Sequence, residues 1–454
     1  MVVAFMAVLD GTIANVALPT IARELTITPA ASIWIINAFQ IAVTATLVAF
    51  ASIGGLVGYA RIYRVGAVVF TAGSLFCALS HTLGLLVVAR IVQGFGASML
   101  MSIQPALIRS IYPPDRLGRG TGAMATMVAG TAAAGPTIGG AILAIAPWPW
   151  LFMINVPVGI VDTLLMSRTL PNIPGTGRLR DFDWVGALLS GMALTALTLG
   201  VEAVAHGADR LAAFCLAASV VSVAFFIRHE ATSPKPLLPL EVFARARFSL
   251  STLTSVCSYT GQGLALVSLP FYFQTSLGRT PLEAGLLLTP WPISVALVAR
   301  LAGRLADRFP AAILGTAGLS VMALGAATLA LLPEHPTIPD IVWREMLCGL
   351  GFGFFQAPNN REIMSSLPFT FTSVAAGMLA TARVLGQSLG AALVAVIFAL
   401  FGTEIVTLGA EHVDAIRNAT PIALWTAAAI AVTGAIVSAF RLRDEARPDA
   451  GETG

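Results

Sequence analysis

Apolar runs of about twenty residues recur along the whole chain, and no other feature constrains its fold as much. A run of that length crosses the hydrocarbon core of a bilayer as a helix. In lipid a crossing segment must satisfy every backbone group internally. Fourteen such segments are read, at residues 1–18, 32–57, 65–81, 83–107, 120–145, 150–167, 184–203, 211–227, 248–275, 283–303, 311–332, 341–366, 375–400 and 421–440. Only 11% of the 454 residues are charged and 57% are hydrophobic, whereas soluble domains carry about 25% charged residues. The expected fold class is an all-α polytopic membrane protein with 14 transmembrane helices. Met1 opens directly into the first run, without a basic leader or a small-residue cleavage site, so no cleavable signal peptide is expected.

The connections are short, and their basic residues set the orientation, because cytoplasmic loops carry the excess of Lys and Arg. With the N-terminus cytoplasmic, eighteen basic residues fall inside, among them Arg61, Arg64, Arg116, Arg119, Arg178, Arg304 and Arg308. Only Arg23, Arg210, Arg279 and Arg417 fall outside, and Arg90, Arg300, Arg344 and Arg383 lie in or at the edges of spans. Both termini are therefore expected in the cytoplasm. The two longest inside connections flank the seventh and eighth segments. They divide the chain into an N-terminal six-helix bundle (1–167), an inter-bundle region (168–247) with two extra spans at 184–203 and 211–227, a C-terminal six-helix bundle (248–441) and a cytoplasmic tail (442–454). The halves echo each other: Arg90-x-x-Gln-Gly-Phe-Gly96 has a loose counterpart in Cys348-Gly-Leu-Gly-Phe-Gly353. Internal repeats of this kind are typical of secondary transporters, whose sites lie between the halves near the midplane.

Within the first segment stands Asp10. A carboxylate at the centre of a spanning helix costs at least ~2.5–3.5 kcal/mol, so it marks a functional site by default. The alternative is a structural aspartate hydrogen-bonded to a neighbouring helix. A carboxylate alternately opened to the two sides of a membrane takes up a proton on one and releases it on the other. Its charge responds to desolvation and to nearby cations. Thr12 and Asn15 are near enough along the helix to hydrogen-bond around it, or to serve helix adhesion only. Arg90 in the fourth segment stays protonated and, if buried, needs partners; Gln93 shares its face. The choice is between an arginine that acts on a carboxylate and one that snorkels to the interface. Gly135-Pro136 and Gly139-Gly140 are expected to kink and thin the fifth segment. Arg344 and Glu345 open the twelfth segment, where they either pair locally or sit at the boundary, with Glu345 a candidate second carrier of charge. Glu202 and Asp162 lie near span ends and are expected to be solvated.

These motifs resemble the fourteen-span drug/proton antiporters of the major facilitator superfamily over essentially the whole chain. Leu9-Asp-x-Thr-Ile-x-Asn-Val-Ala-Leu-Pro19 is similar to the first-span motif of that family, Arg90-x-x-Gln-Gly-x-Gly96 to its span-four motif, and Gly135-Pro-Thr-Ile-Gly-Gly140 to its antiporter motif. Gly122 fits the glycine ladder upstream of that motif; Thr131 stands where another glycine is expected. Arg383-x-x-Gly-Gln-x-x-Gly390 and Gln356-Ala-Pro-Asn-Asn-Arg361 resemble late-span features of a multidrug subgroup. The acidic loop expected after span two has Gly55 at its acidic position, while the second copy keeps Asp307 and Arg308. The resemblance implies a major facilitator fold, proton coupling through Asp10, Arg90 and Gln93, and gating through Gly122, Gly135, Pro136, Gly139, Gly140, Asp307 and Arg308. A substrate cavity is nominated from Asn15, Trp34, Asn37, Gln40, Met101, Gln104, Gln262, Tyr272, Trp291, Glu345, Gln356, Asn359 and Arg383.

The function expected is proton-driven export of lipophilic, cationic antimicrobial compounds from the inner membrane of a bacterium, by a monomer, with a periplasmic adaptor as a further partner besides lipid. Two rivals are a dedicated exporter of one endogenous metabolite, lipid or antibiotic, and a non-transporting scaffold or sensor. Cys77, Cys215, Cys257 and Cys348 lie singly in apolar runs, so no metal or redox site is expected, and no cofactor beyond the proton gradient. No nucleophile–base set, phosphate loop or basic nucleic-acid patch is present, so neither an enzyme nor a nucleic-acid binder is expected.

Overall fold

The computed structural model describes residues 2–111, 117–169, 175, 177–205, 207–233, 236–306, 308–368, 371–401 and 410–445, and no strand occurs among them. The first half runs α1 (Val2–Glu24), α2 (Pro29–Ser32), α3 (Trp34–Val57), α4 (Tyr59–Ala78), α5 (Leu83–Ile111), α6 (Leu117–Ile145), α7 (Trp150–Met153) and α8 (Asn155–Thr169). Then come α9 (Trp184–Ala205) and α10 (Asp209–Thr232). The second half runs α11 (Ala246–Phe271), α12 (Pro281–Leu288), α13 (Pro290–Leu305), α14 (Ala311–Ala330), α15 (Ile338–Ser365), α16 (Thr372–Leu400) and α17 (Ala410–Glu445).

The molecule is an all-helical, multi-pass membrane protein. Among the described residues, 10 helices are both long and apolar enough to cross a membrane. For two of the remaining expected spans the cause is compositional. α11 and α15 have the length, at 26 and 28 residues, but are diluted by serines, threonines and charged groups. Two shorter apolar helical stretches, Ala134–Ile145 in α6 and Trp150–Met166 across α7 and α8, lie among the described residues. Three threonines cap helices that start at one end of the molecule: Thr28 accepts from Ala31 N, and Thr280 and Thr337 form capping boxes with Glu283 and Asp340. Each satisfies backbone donors that the first helical turn leaves open. This end, where α1 finishes and α5 and α15 begin, is the arginine-poor one.

The two halves repeat the same pairings: α4 on α5, α3 on α5, α1 on α6 and α4 on α8 answer to α14 on α15, α13 on α15, α11 on α16 and α14 on α17. Glycines fix the register. A Cβ on Gly96 would strike Phe70, and one on Gly351 would strike Met322; Gly73 lies against Gln93 as Gly325 lies against Cys348. Gly94 abuts the Phe39 carbonyl as Gly349 abuts that of Trp291. This sets Gly96 on Gly351, not on Gly353 as the Gly-Phe-Gly string alone implied, and so sets Arg90 on Glu345. By the same logic, Gly135 and Gly139 against Thr12 and Ile13 match Gly386 and Gly390 against Tyr259 and Thr260, which sets Asp10 on Cys257.

The halves meet at the arginine-poor end. The Gly140 position faces the Pro281 carbonyl and Leu282, and Gly285 faces the Pro136 carbonyl. The Thr137 and Thr289 hydroxyls are 2.6 Å apart. Gln274 donates to the Val16 carbonyl at 2.8 Å, and Thr20 donates to Gln274 at 3.3 Å. One apolar cluster runs through this seam, from Leu9, Ile13 and Val16 to Leu264, Trp291 and Phe352. α9 packs on α3 of the first half and on α16 of the second, and α10 packs chiefly on α9.

Candidate functional site

Asp10 sits midway along α1, buried to 3% exposure. Two other helices converge on its carboxylate. Oδ1 accepts from Gln93 Nε2 of α5 at 2.9 Å and from Asn155 Nδ2 of α8 at 2.9 Å. Oδ2 is ion-paired and hydrogen-bonded to Nη1 of Arg90. Arg90 is itself fully buried, donating through Nε to the Ile35 carbonyl at 2.9 Å and through Nη1 to Gln93 Oε1 at 2.7 Å. Its guanidinium lies 4.2 Å from the Phe39 ring centroid and 5.5 Å from that of Phe152, on different helices. Gln93 Nε2 also donates to Ser74 Oγ at 2.8 Å. The arrangement excludes the snorkelling reading of Arg90. A charge pair in an apolar interior survives only if its remaining donors and acceptors are matched, and here only Arg90 Nη2 lacks a partner among the described residues.

Local sequence explains how these groups meet. Arg90 and Gln93 are three residues apart, hence on one face of α5. Gly73 and Gly94, having no side chains, let α4 and α3 approach α5 on either side of that face. Gly135 and Gly139 likewise bring α6 onto α1 at Thr12 and Ile13, within a turn of Asp10. Pro136 lies inside a continuous α6. Gly122 is in the same helix, Arg308 is exposed, and Asp307 lies outside the described residues.

The nominated cavity residues separate into three sets. Asn15 and Gln40 are half-buried in the first half, and each has a side-chain carbonyl without a hydrogen-bond partner among the described residues. Met101 and Gln104 are on α5, half-buried and buried. In the second half Gln356 donates to Tyr259 Oη at 3.0 Å, Gln387 donates to Gln262 at 3.4 Å, and Arg383 is half-buried. The remaining nominees are elsewhere. Trp34 is half-buried at the start of α3, and Tyr272 lines a crevice of about 210 Å³ at the arginine-poor end with Glu334 and Arg417. Asn359 belongs to a buried cluster in which it donates to Ser255 Oγ at 2.8 Å and accepts from Arg441 Nη1 at 3.0 Å. Arg441 itself is 1% exposed. Trp291 and Glu345 are buried in the apolar cluster, and Arg344 turns away to donate to the Thr328 carbonyl at 2.6 Å.

Two expectations are corrected. Asp162 and Glu202 are not solvated. Asp162 is buried and accepts from Tyr63 Oη at 2.8 Å. Glu202 is fully buried and accepts from Asn37 Nδ2 at 2.6 Å. Glu202 lies near the end of α9 and Asp162 at the midpoint of α8, and side chains of α3 and α4 cover them. Asn155 and Ser74 were missed altogether; a lone carboxamide or hydroxyl in an apolar run was their only signal.

A family model described as Major Facilitator Superfamily matches residues 1–391 and 252–454. The chain belongs to the major facilitator superfamily. Its relatives in that superfamily include the transporter YebQ of Escherichia coli K12, 49% identical over 438 residues, covering 96% of this chain and 93% of the relative. The riboflavin transporter RibZ of Clostridioides difficile is 31% identical, covering 97% of this chain and 95% of the relative. The putative multidrug resistance protein MdtD of E. coli strain 55989 is 30% identical, with 89% and 86% covered. A bacterial homologue of the lysosomal transporter Spinster, solved inward-facing and unoccupied, superposes with a TM-score of 0.72 at 14% identity, over 99% of this chain and 97% of that one. Members of this superfamily are transporters, and this chain is a transporter, not an enzyme.

Proposed function

We propose that the chain is a proton-coupled efflux transporter of a bacterial inner membrane, exporting lipophilic cations in exchange for protons. The buried, ion-paired Asp10 carries this reading. An acid held by one cation and two carboxamides has two stable forms. As the anion it keeps Arg90, Gln93 and Asn155 converged on α1. On taking a proton it becomes neutral, and the pair with Arg90 loses its Coulombic attraction. The guanidinium then rests on the Ile35 carbonyl, Gln93 Oε1 and the two flanking rings. The charge state of one oxygen is thereby tied to how α1, α5 and α8 pack.

The arginine-rich loops are cytoplasmic in this reading, so the closed seam is the periplasmic one and both termini are inside. Asp10 takes its proton from the periplasm when that seam is parted and releases it to the cytoplasm when the seam is shut. Substrate travels the other way. The unmatched carbonyls of Asn15 and Gln40 offer acceptors to a donor-bearing cation, and Gln356, Gln262 and Arg383 supply the polar groups of the second half. Fourteen spans, a monomer and an adaptor across a second membrane belong to the same proposal. The likeness to MdtD supports broad export. The likeness to RibZ favours a second reading, transport of one endogenous compound.

A resistance panel separates the two. Cells expressing the chain are challenged with ethidium, benzalkonium and tetraphenylphosphonium, and separately assayed for riboflavin transport. Protection against several unrelated cations is expected. Protection against none, together with altered riboflavin flux, would replace broad efflux with dedicated transport.

A further inference from the structure

The second half holds an acid where the first half holds Arg90. Glu345 of α15 occupies the repeat position of Arg90, Cys348 that of Gln93 and Cys257 that of Asp10. The result is a carboxyl group with 0% exposure and, among the described residues, no hydrogen bond to either oxygen. Among the described residues no charged group compensates it. Arg344 on its own helix is engaged by the Thr328 carbonyl and lies 5.1 Å from the Trp343 ring. α14 has no ionisable residue, and Trp291 and Ser294 are what α13 brings near this turn. On α12, Glu283 is at the exposed cap. α11 carries Arg247, Cys257 and Tyr259 and α16 carries Arg383, and none of them hydrogen-bonds Glu345. The Trp291 indole N–H has no acceptor among the described residues either, and the Trp291 carbonyl abuts Gly349, one turn beyond Glu345. A buried carboxylate without partner or counter-charge is not sustainable in such a setting, whereas the neutral acid is.

The apolar cluster around this turn, with Ile341, Cys348 and Trp291, is continuous with Leu9, Ile13 and Val16 of α1. It exists as one body only while the halves are closed at the arginine-poor end. Parting them splits it and admits water to its second-half wall.

From this we infer that Glu345 is a second proton-binding site, loaded from the arginine-poor side when the seam is open, and that its protonation is required for the seam to close. The inference rests on the transporter reading above, but not on Asp10. The proton comes from the aqueous phase at that end and returns to it on reopening. Glu345 thus binds one proton per closure without adding to the number carried across. Its effect is a linkage: acid on that side favours closure.

The test measures closure directly. Thr82→Cys and Glu334→Cys, both exposed at the arginine-poor end on opposite halves, carry spin labels in the full chain in nanodiscs. Their separation is followed against pH. The closed-to-open ratio should rise with acid by up to about tenfold per pH unit, the limit for one linked proton. Glu345→Gln should stay closed across the range and lose this component, while Asp10→Asn should retain it. Glu345→Gln titrating like the parent would overturn the inference and leave the Asp10 reading intact. So would Asp10→Asn removing the whole response. A second measurement needs no acid substitution. With Thr137→Cys and Thr289→Cys cross-linked across the seam, the infrared band of a protonated carboxyl should persist at alkaline pH and exchange slowly in deuterated water. Its absence would show an ionised Glu345 and end the proposal.

Discussion

At the scale of single residues, the site is a matched set whose members are not interchangeable. Removing one partner of a buried ion pair leaves the other uncompensated, at about 3–5 kcal/mol, whereas replacing both by apolar groups is often near neutral. Arg90→Met is therefore expected to destabilise the protein by about 3–5 kcal/mol, read as a fall in its detergent melting midpoint, and Arg90→Met with Asp10→Leu to recover most of that loss. If the double substitution were as unstable as the single one, Asp10 and Arg90 would not be compensating each other. Asp10 and Arg90 were legible in the sequence because charge in an apolar run is rare and costly. Their contact was not legible, since it depends on how far α1 and α5 slide past each other. Glu202 and Asp162 misled for a related reason. Distance from a helix end measures depth along one helix, but burial is decided by its neighbours.

At the scale of helices, glycines determine which pairs come close. A Cβ at Gly135 would overlap the Thr12 side chain, and overpacking of that kind costs about 1–3 kcal/mol. Gly135→Ala should lower the melting midpoint and impair transport, and adding Thr12→Ala should restore part of both. An unchanged midpoint for Gly135→Ala would mean that α6 and α1 do not meet there. Ten of the apolar segments are long and apolar enough, among the described residues, to have been plain from length and hydropathy. The repeat register was not: short glycine-rich strings can be aligned in more than one way, and only the contacts of Gly73, Gly96, Gly325 and Gly351 with their partner helices decide among them. The Thr280–Glu283 and Thr337–Asp340 capping boxes were written openly as Thr-x-x-acid before an apolar run, and they mark helix starts better than hydropathy does.

At the scale of the whole molecule, the two halves meet in a closed seam at the arginine-poor end and also pack along α3 and α16. The 2.6 Å approach of the Thr137 and Thr289 hydroxyls places those side chains within cross-linking range. Oxidation of the Thr137→Cys, Thr289→Cys protein is expected to stop transport, and reduction to restore it. Undiminished transport while cross-linked would mean that this seam does not open in the cycle. Sequence composition set the membrane class and the loop charges set a direction, but which end is shut is a property of two distant surfaces and is encoded in no local pattern.

The account turns on Asp10. Everted membrane vesicles containing the Asp10→Asn protein are energised to form a proton gradient, and ethidium accumulation is compared with exchange of ethidium between two equal pools. Asparagine keeps the size of the side chain and removes its titration. The prediction is that gradient-driven accumulation is lost while exchange persists. Accumulation at the parent's level, with the proton gradient still discharged by added ethidium, would contradict the central claim.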